Sequence, residues 1–384
     1  MHSRRCQTQR SMRQSHLWII AAPFQAVGAP LPSSIVRNSK SLYEAKADAQ
    51  KLAFAPFAFQ AALALRDLGI LAALANGTSR GLSAAEVASH AELPLYGVKV
   101  LLEAGVVSDL IALEYERFRL TTLGLLVLQD AMTRVNMDFT ADVCYRGMSD
   151  LQEAVRSGQP SGLKALGPWA NIYAGLAHLP AHVQSAWFAF DHYYSDGLFP
   201  AALPVIFERK PRRVMDVGAN TGKFSLACLR HDPDVTMTLL DLPGQLTMAE
   251  RTLAESRQRA TYHPIDFLDH TREFPGGQDA IWMSQFLDCF GEEDIVSILE
   301  RARGALSPQG RIYIVDTYWD NQQHAAARFV LVMTSLYFTC LANGTSKMYH
   351  SEDMRRCVQR AGLRIAKEVQ GLTLSHTMFV CEAR

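Results

Sequence analysis

Arg213-Val214-Met215-Asp216-Val217-Gly218-Ala219-Asn220-Thr221-Gly222-Lys223-Phe224 reads as a short apolar strand, a turn carrying two glycines, and the opening of a helix. A second apolar run, Val235-Thr236-Met237-Thr238-Leu239-Leu240, closes on Asp241, nineteen residues past Gly222. Glycine lets backbone approach a ligand closely. A carboxylate one strand over can accept both hydroxyls of a ribose. Strand, glycine turn and distant acid together describe a nucleoside-cofactor site.

The surrounding pattern supports a Rossmann-like α/β fold. Strands are predicted at 213–217, 235–241, 261–264, 279–285 and 310–316, with a final apolar pair near 363–368 and 377–381. Helical patterns fill the gaps, among them 293–306 and 351–361. Alternation of this kind builds a doubly wound sheet, here with an antiparallel tail.

Upstream, the segment 52–74 is apolar on nearly every face and is expected to form a helix that needs partners all round. Ser83 and Glu86 make a capping box ahead of the next helix. Residues 94–108 repeat apolar side chains at helical spacing, and Leu113 to Leu120 alternates like a strand pair. Helix, helix and β-wing make a winged-helix outline over 43–130. Over 51–130, Lys51, Arg66, Arg80, Lys99, Arg117 and Arg119 are outnumbered by eight acids, which is too few cations for a duplex surface. Residues 131–205 read as helical and dense in aromatics, including Trp169, Tyr173, Trp187, Phe188, Phe190, Tyr193 and Tyr194, some of them expected as walls of a substrate cavity.

A chain of 384 residues suggests more than one domain, and 38 Lys plus Arg against 38 Asp plus Glu leave no net field to attract nucleic acid or anionic lipid. Residues 1–42 are expected as a disordered basic leader. Its short apolar run, Leu17-Trp18-Ile19-Ile20-Ala21-Ala22, has the outline of a signal peptide but is too short to span a bilayer. Seven scattered cysteines with no Cys-x-x-Cys spacing point to no disulfide framework and no metal site, hence to a reducing cytoplasm.

The turn Gly218-Ala219-Asn220-Thr221-Gly222 fits a dinucleotide fingerprint poorly, because Asn220 stands where the pyrophosphate needs glycine. Its Asp-x-Gly-x-x-x-Gly pattern, with Asp216, Gly218 and Gly222, instead resembles the first motif of class I methyltransferases, which bind S-adenosylmethionine. The arrangement as a whole resembles the small-molecule O-methyltransferases of the plant caffeate type and their bacterial relatives, from about residue 43 to the C-terminus. The resemblance implies an N-terminal dimerisation domain and a catalytic domain over 206–384. It implies a ribose contact from Asp241 with Leu242 behind it, and an adenine contact from Asp266 and Phe267. Phe190-Asp191-His192-Tyr193-Tyr194-Ser195 sits where the family has Phe-Asn-x-x-Met, so Trp187, Phe190, Asp191 and Tyr194 are expected to meet substrate.

Against that family the catalytic end departs. Its general-base histidine is replaced by Asp288, in Asp288-Cys289-Phe290-Gly291-Glu292-Glu293-Asp294. A lysine that contacts the cofactor is replaced by Ser284, and two acidic partners fall on Asp316 and Met348. A phenol titrates near ~10 and an ordinary aspartate near ~3.9, so full proton transfer between them is uphill by about 8 kcal/mol. Burial raises an aspartate and narrows the gap. His192 and His350 are therefore expected as substitute bases, with Asp288 able to serve an acidic hydroxyl or hold a substrate group. The expected reaction is methylation of a hydroxylated aromatic or polyketide-like molecule by a homodimer, at oxygen. C-methylation of an electron-rich ring and a ligand-binding protein without turnover are the alternatives.

Overall fold

The computed structural model describes residues 40–373 and 375–384. The expected leader and its signal-peptide outline lie outside the described residues up to position 39. The chain divides into two compact units, with the division between Ala64 and Leu65.

The first unit is helical. Ser41 caps the helix Leu42–Ala53 in a capping box with Glu44, so the last residues of the stretch expected as a disordered leader, Ser41 and Leu42, belong to a capped helix. The single helix expected over 52–74 is instead three: the end of Leu42–Ala53, then Ala55–Asp67, then Ile70–Ala75. Pro56 has no N–H to offer the carbonyl four residues back, which ends the first helix at Phe54. Gly69, at φ 77°, ends the second in a left-handed turn that favours glycine. Leu52, Phe54 and Phe57 stand exposed on the first unit.

The second unit begins with the expected winged-helix elements. The helices Ala84–Ala91 and Leu95–Val107 precede a hairpin of β1 (Ile111–Glu114) and β2 (Arg117–Leu120). Tyr115 and Glu116 both take positive φ, the backbone a two-residue hairpin turn demands. Helices and wide turns from Thr122 to Ile206 follow.

A seven-stranded sheet then carries the C-terminal half. Its strands are β3 (Arg213–Val217), β4 (Thr236–Asp241), β5 (Ala260–Pro264), β6 (Gln278–Ser284), β7 (Leu306–Asp316), β8 (Leu363–Gln370) and β9 (Thr377–Ala383). The spatial order is β5-β4-β3-β6-β7-β9-β8, all running the same way except β9, which is antiparallel to both its neighbours. Helices cover both faces, so the central strands read as nearly unbroken apolar runs. Successive side chains take opposite sides. Met215 and Val217 pack into one core with Ile281 and Met283, while Val214 packs into the other with Ala280 and Trp282. The helix Glu292–Ala305 shows why these segments coil: three acids occupy its first turn, facing the positive end of the helix dipole. Ile295, Ile298, Leu299 and Ala302 recur on its buried face.

The strand order reverses between β3 and β6. A crevice at the carboxyl ends of strands that diverge in this way is where open α/β sheets bind ligands.

Candidate active site

Gly218 leaves β3 at φ 74°, and a Cβ there would come within 2.4 Å of the Phe286 ring. Gly222, at φ 77°, would meet Leu253 and Ala249 in the same way as it starts the helix Lys223–His231. Both positions need glycine for conformation and for space. Between them Asn220 is itself at φ 50°, and its N–H donates to Asp241 Oδ2 at 2.8 Å. The Leu242 N–H donates to Asp241 Oδ1 at 2.7 Å. Two backbone amides thus aim the Asp241 carboxylate at the crevice. Asp216 lies beneath the turn, 2% exposed, and accepts from the Ser225 hydroxyl at 2.6 Å.

Two adjoining cavities open on this turn. The larger, about 1140 Å³ with its mouth included, is lined by Asp241, Leu242, Asp266 and Phe267. Aromatic side chains line it too, among them Phe139, Tyr173, Trp187, Phe190, Tyr337 and Phe338. The smaller, about 490 Å³, lies over Asp216, Thr221, Lys223 and Ser284. Asp191, Gly218, Asn220 and Gln285 border both.

The polar groups suit S-adenosylmethionine. Asn220 Oδ1, Thr221 Oγ1 and Ser284 Oγ are buried without hydrogen-bond partners beside the glycine turn, and such orphans are rare unless a ligand completes them. Burial raises Asp191 and Asp216 to about 7 and Asp241 to about 6. A cationic ligand with ribose hydroxyls supplies what these acids lack.

The catalytic candidates separate. Asp288 is 4% exposed and lines the larger cavity. Its Oδ1 meets Cys289 Sγ at 3.6 Å. Asp316, 2% exposed, sits behind it facing the Asp288 backbone amide, and accepts from the Thr317 N–H at 2.8 Å. Burial and the mutual repulsion of the two carboxylates push Asp288 well above the ordinary range, and burial carries Asp316 to about 7. Two close carboxyls of this kind titrate as a pair that keeps one proton longer than either would alone.

His350, expected as a base, is not among the residues of either cavity. It caps the helix Ser351–Arg360, its Nδ1 accepting from the Glu352 N–H at 3.1 Å, with Asp320 3.6 Å away. The histidine was drawn to the helix terminus by the orphan amides there. His192 borders only the smaller cavity, between Asp191 and Asp196, and burial lowers it. Ser284 also faces the smaller cavity. Tyr194 lines neither cavity and donates to Asn136 Oδ1 at 2.9 Å. Trp187, Phe190 and Asp191 do line the larger one, Asp191 accepting from the Asn220 amide at 2.8 Å.

Several wall residues had no sequence signal. Phe139 and Phe338 each open a π-helical turn, in Phe139–Cys144 and Phe338–Ala342. Such turns widen a helix and re-aim its side chains, often at functional sites. Phe139 stacks on Phe190 with ring centroids 4.1 Å apart, and the Trp187 N–H donates to the Tyr337 hydroxyl at 2.9 Å. The stretch Ala325–Ala342, apolar and long enough by composition to cross a bilayer, lends Thr334, Tyr337 and Phe338 to this wall.

Both halves of the chain resemble known proteins. Residues 206–364 match the O-methyltransferase domain family, and residues 46–118 match a dimerisation2-like domain. The L-tyrosine C(3)-methyltransferase of Streptomyces lavendulae is 25% identical over 315 residues, 80% of this chain and 84% of that protein. The O-methyltransferase SfmM3 of the same organism is 30% identical over 162 residues, 40% of this chain and 46% of that protein. The solved structure of the mitomycin 7-O-methyltransferase MmcR shares the fold, with a TM-score of 0.69 and 18% identity over 89% of this chain and 98% of that one.

Proposed function

Because the chain belongs to the S-adenosylmethionine-dependent methyltransferases that join a dimerisation domain to an O-methyltransferase domain, we propose that it methylates a small hydroxylated aromatic or polyketide-like molecule, at oxygen, as a homodimer. The observation that carries this reading is the junction of the two halves of the cleft. A carboxylate-and-glycine cradle suited to the cofactor shares one cavity with an aromatic wall and the buried carboxyl of Asp288. S-adenosylmethionine supplies an electrophilic methyl group when bound.

The chain's own residues do the rest. Asp241 holds the ribose, Asp266 and Phe267 border the adenine, and Asp216, Asn220, Thr221 and Ser284 serve the amino-acid end. Phe139, Trp187, Phe190 and Tyr337 fix the plane of the acceptor ring and keep water from it, and orientation of this kind is itself a large part of the rate. Asp288, with Asp316 behind it, receives the hydroxyl proton. Its raised affinity for a proton shortens the gap to a phenol that an ordinary aspartate leaves open. His350 and His192 have no part in that step.

A second reading, transfer to a ring carbon, is favoured by the similarity to an L-tyrosine C(3)-methyltransferase. We also place the enzyme in a reducing cytoplasm, as its six described cysteines are all free thiols. Incubation of the purified protein with methyl-labelled cofactor and a phenol and polyketide panel tests the proposal. Labelled product with a methoxy signal by proton NMR is expected, and an aryl-methyl signal moves the reading to carbon. Lack of any labelled product together with no heat shift from S-adenosylhomocysteine defeats it.

A further inference from the structure

The charges lining the larger cavity are one-sided. Asp191, Asp241, Asp266 and Asp288 lie on its wall, and no lysine, arginine or histidine is among the described residues that do. Three of those acids have work within the cofactor half: Asp241 at the ribose, Asp266 at the base, Asp191 beside the glycine turn and bonded to Asn220. Asp288 stands at the acceptor end. It is 4% exposed and lines the cavity together with the Phe139, Trp187 and Tyr337 rings. Asp316 Oδ2, next to it, is buried without a hydrogen-bond partner. A buried carboxyl left open toward a cavity calls for a donor or a cation from the ligand.

A second observation points the same way. Tyr337 meets Phe139 edge-on with centroids 5.0 Å apart, Phe139 stacks on Phe190, and the Trp187 N–H engages Tyr337. Aromatic faces carry negative quadrupoles and attract a desolvated cation. The Asp288 carboxyl and these rings line one cavity.

Resting on the methyltransferase reading, we propose that the methyl acceptor carries a basic nitrogen, bound as an ammonium group against the Phe139–Trp187–Tyr337 wall and charge-compensated by Asp288 and Asp316. The hydroxyl remains on Asp288 and the nitrogen lies over the rings. Aromatics bearing a carboxylate are repelled.

Calorimetric titration of the protein saturated with S-adenosylhomocysteine tests this. The probes are 4-(2-aminoethyl)phenol, 4-ethylphenol and 4-hydroxyphenylacetate, which differ in the charge of one arm. The expected order of affinity is ammonium, neutral, carboxylate, with about tenfold between neighbours. Asp288→Asn and Asp316→Asn are each expected to compress the whole range to about threefold while S-adenosylhomocysteine still binds. Equal or tighter binding of the carboxylate probe by the native enzyme overturns the proposal, as does no measurable binding of the ammonium probe, or an unchanged order in both variants. A base role alone does not move these ratios. Failure of S-adenosylhomocysteine itself to bind removes the methyltransferase reading instead.

Discussion

The glycine-turn cradle and the aromatic cavity share a border yet are made in different ways. The cradle is mostly backbone. Gly218, Asn220 and Gly222 shape it, and two amides hold Asp241, all within one strand-turn-helix-strand stretch. The cavity is mostly side chain, assembled from segments as distant as Phe139 and Met348. A backbone site tolerates few substitutions at its glycines and carboxylate. A side-chain site can be rebuilt one wall at a time, which allows one cradle to serve many acceptors.

The comparison predicts that variants divide cleanly between cofactor binding and turnover. Asp288→Asn should lower kcat by about 10²–10⁴-fold, the range of a lost general base, and leave affinity for S-adenosylhomocysteine within about threefold. A larger loss from His192→Ala or His350→Ala would return the base to histidine. Asp241→Ala should weaken S-adenosylhomocysteine binding by about 100-fold, or ~2.7 kcal/mol, in calorimetric titration. Unchanged affinity there would break the division at its firmest point. Gly218→Ala places a methyl group against Phe286 at a positive φ, and a loss of about tenfold in cofactor affinity is expected from strain of about 1–3 kcal/mol.

Stability against pH reads the same acids without any ligand. Asp191, Asp216 and Asp316 titrate at about 7 and Asp241 at about 6 in the fold, against 3.8 for a free aspartate. With folded values raised, the native state binds more protons than the unfolded chain across that window. Their effect is therefore to lower stability as pH rises from about 4 to about 7, with the loss complete above it. Thermal melts of the ligand-free protein should fall over this range, and Asp316→Asn should flatten the fall. A rise across the window would contradict the burial of these groups. The smallest effect is expected from His350→Ala, under about threefold in kcat, because its side chain caps a helix.

Much of this was legible in order along the chain. Asp216, Gly218, Gly222 and Asp241 announce themselves because a glycine turn between two apolar runs has few other uses. Each expected strand of the sheet is present, as parallel strands covered on both faces need continuous apolar sequence. The helix over 52–74 was misjudged because apolar periodicity ran through Pro56 and Gly69, where local backbone geometry decided instead. His350 was misplaced because a histidine ahead of a helix suits a cap as well as a base, and only its neighbours distinguish the two.

The sequence alone determined the α/β order, the glycine turn and the carboxylate a strand away, since these depend on residues close together and on backbone conformation. The tertiary structure decided which aromatics face one another, and it brought Asp288 against Asp316 while leaving His192 and His350 outside the larger cavity. Those contacts join residues far apart in the chain. Their proton affinities arise from burial and mutual repulsion, and neither exists until the fold closes around them.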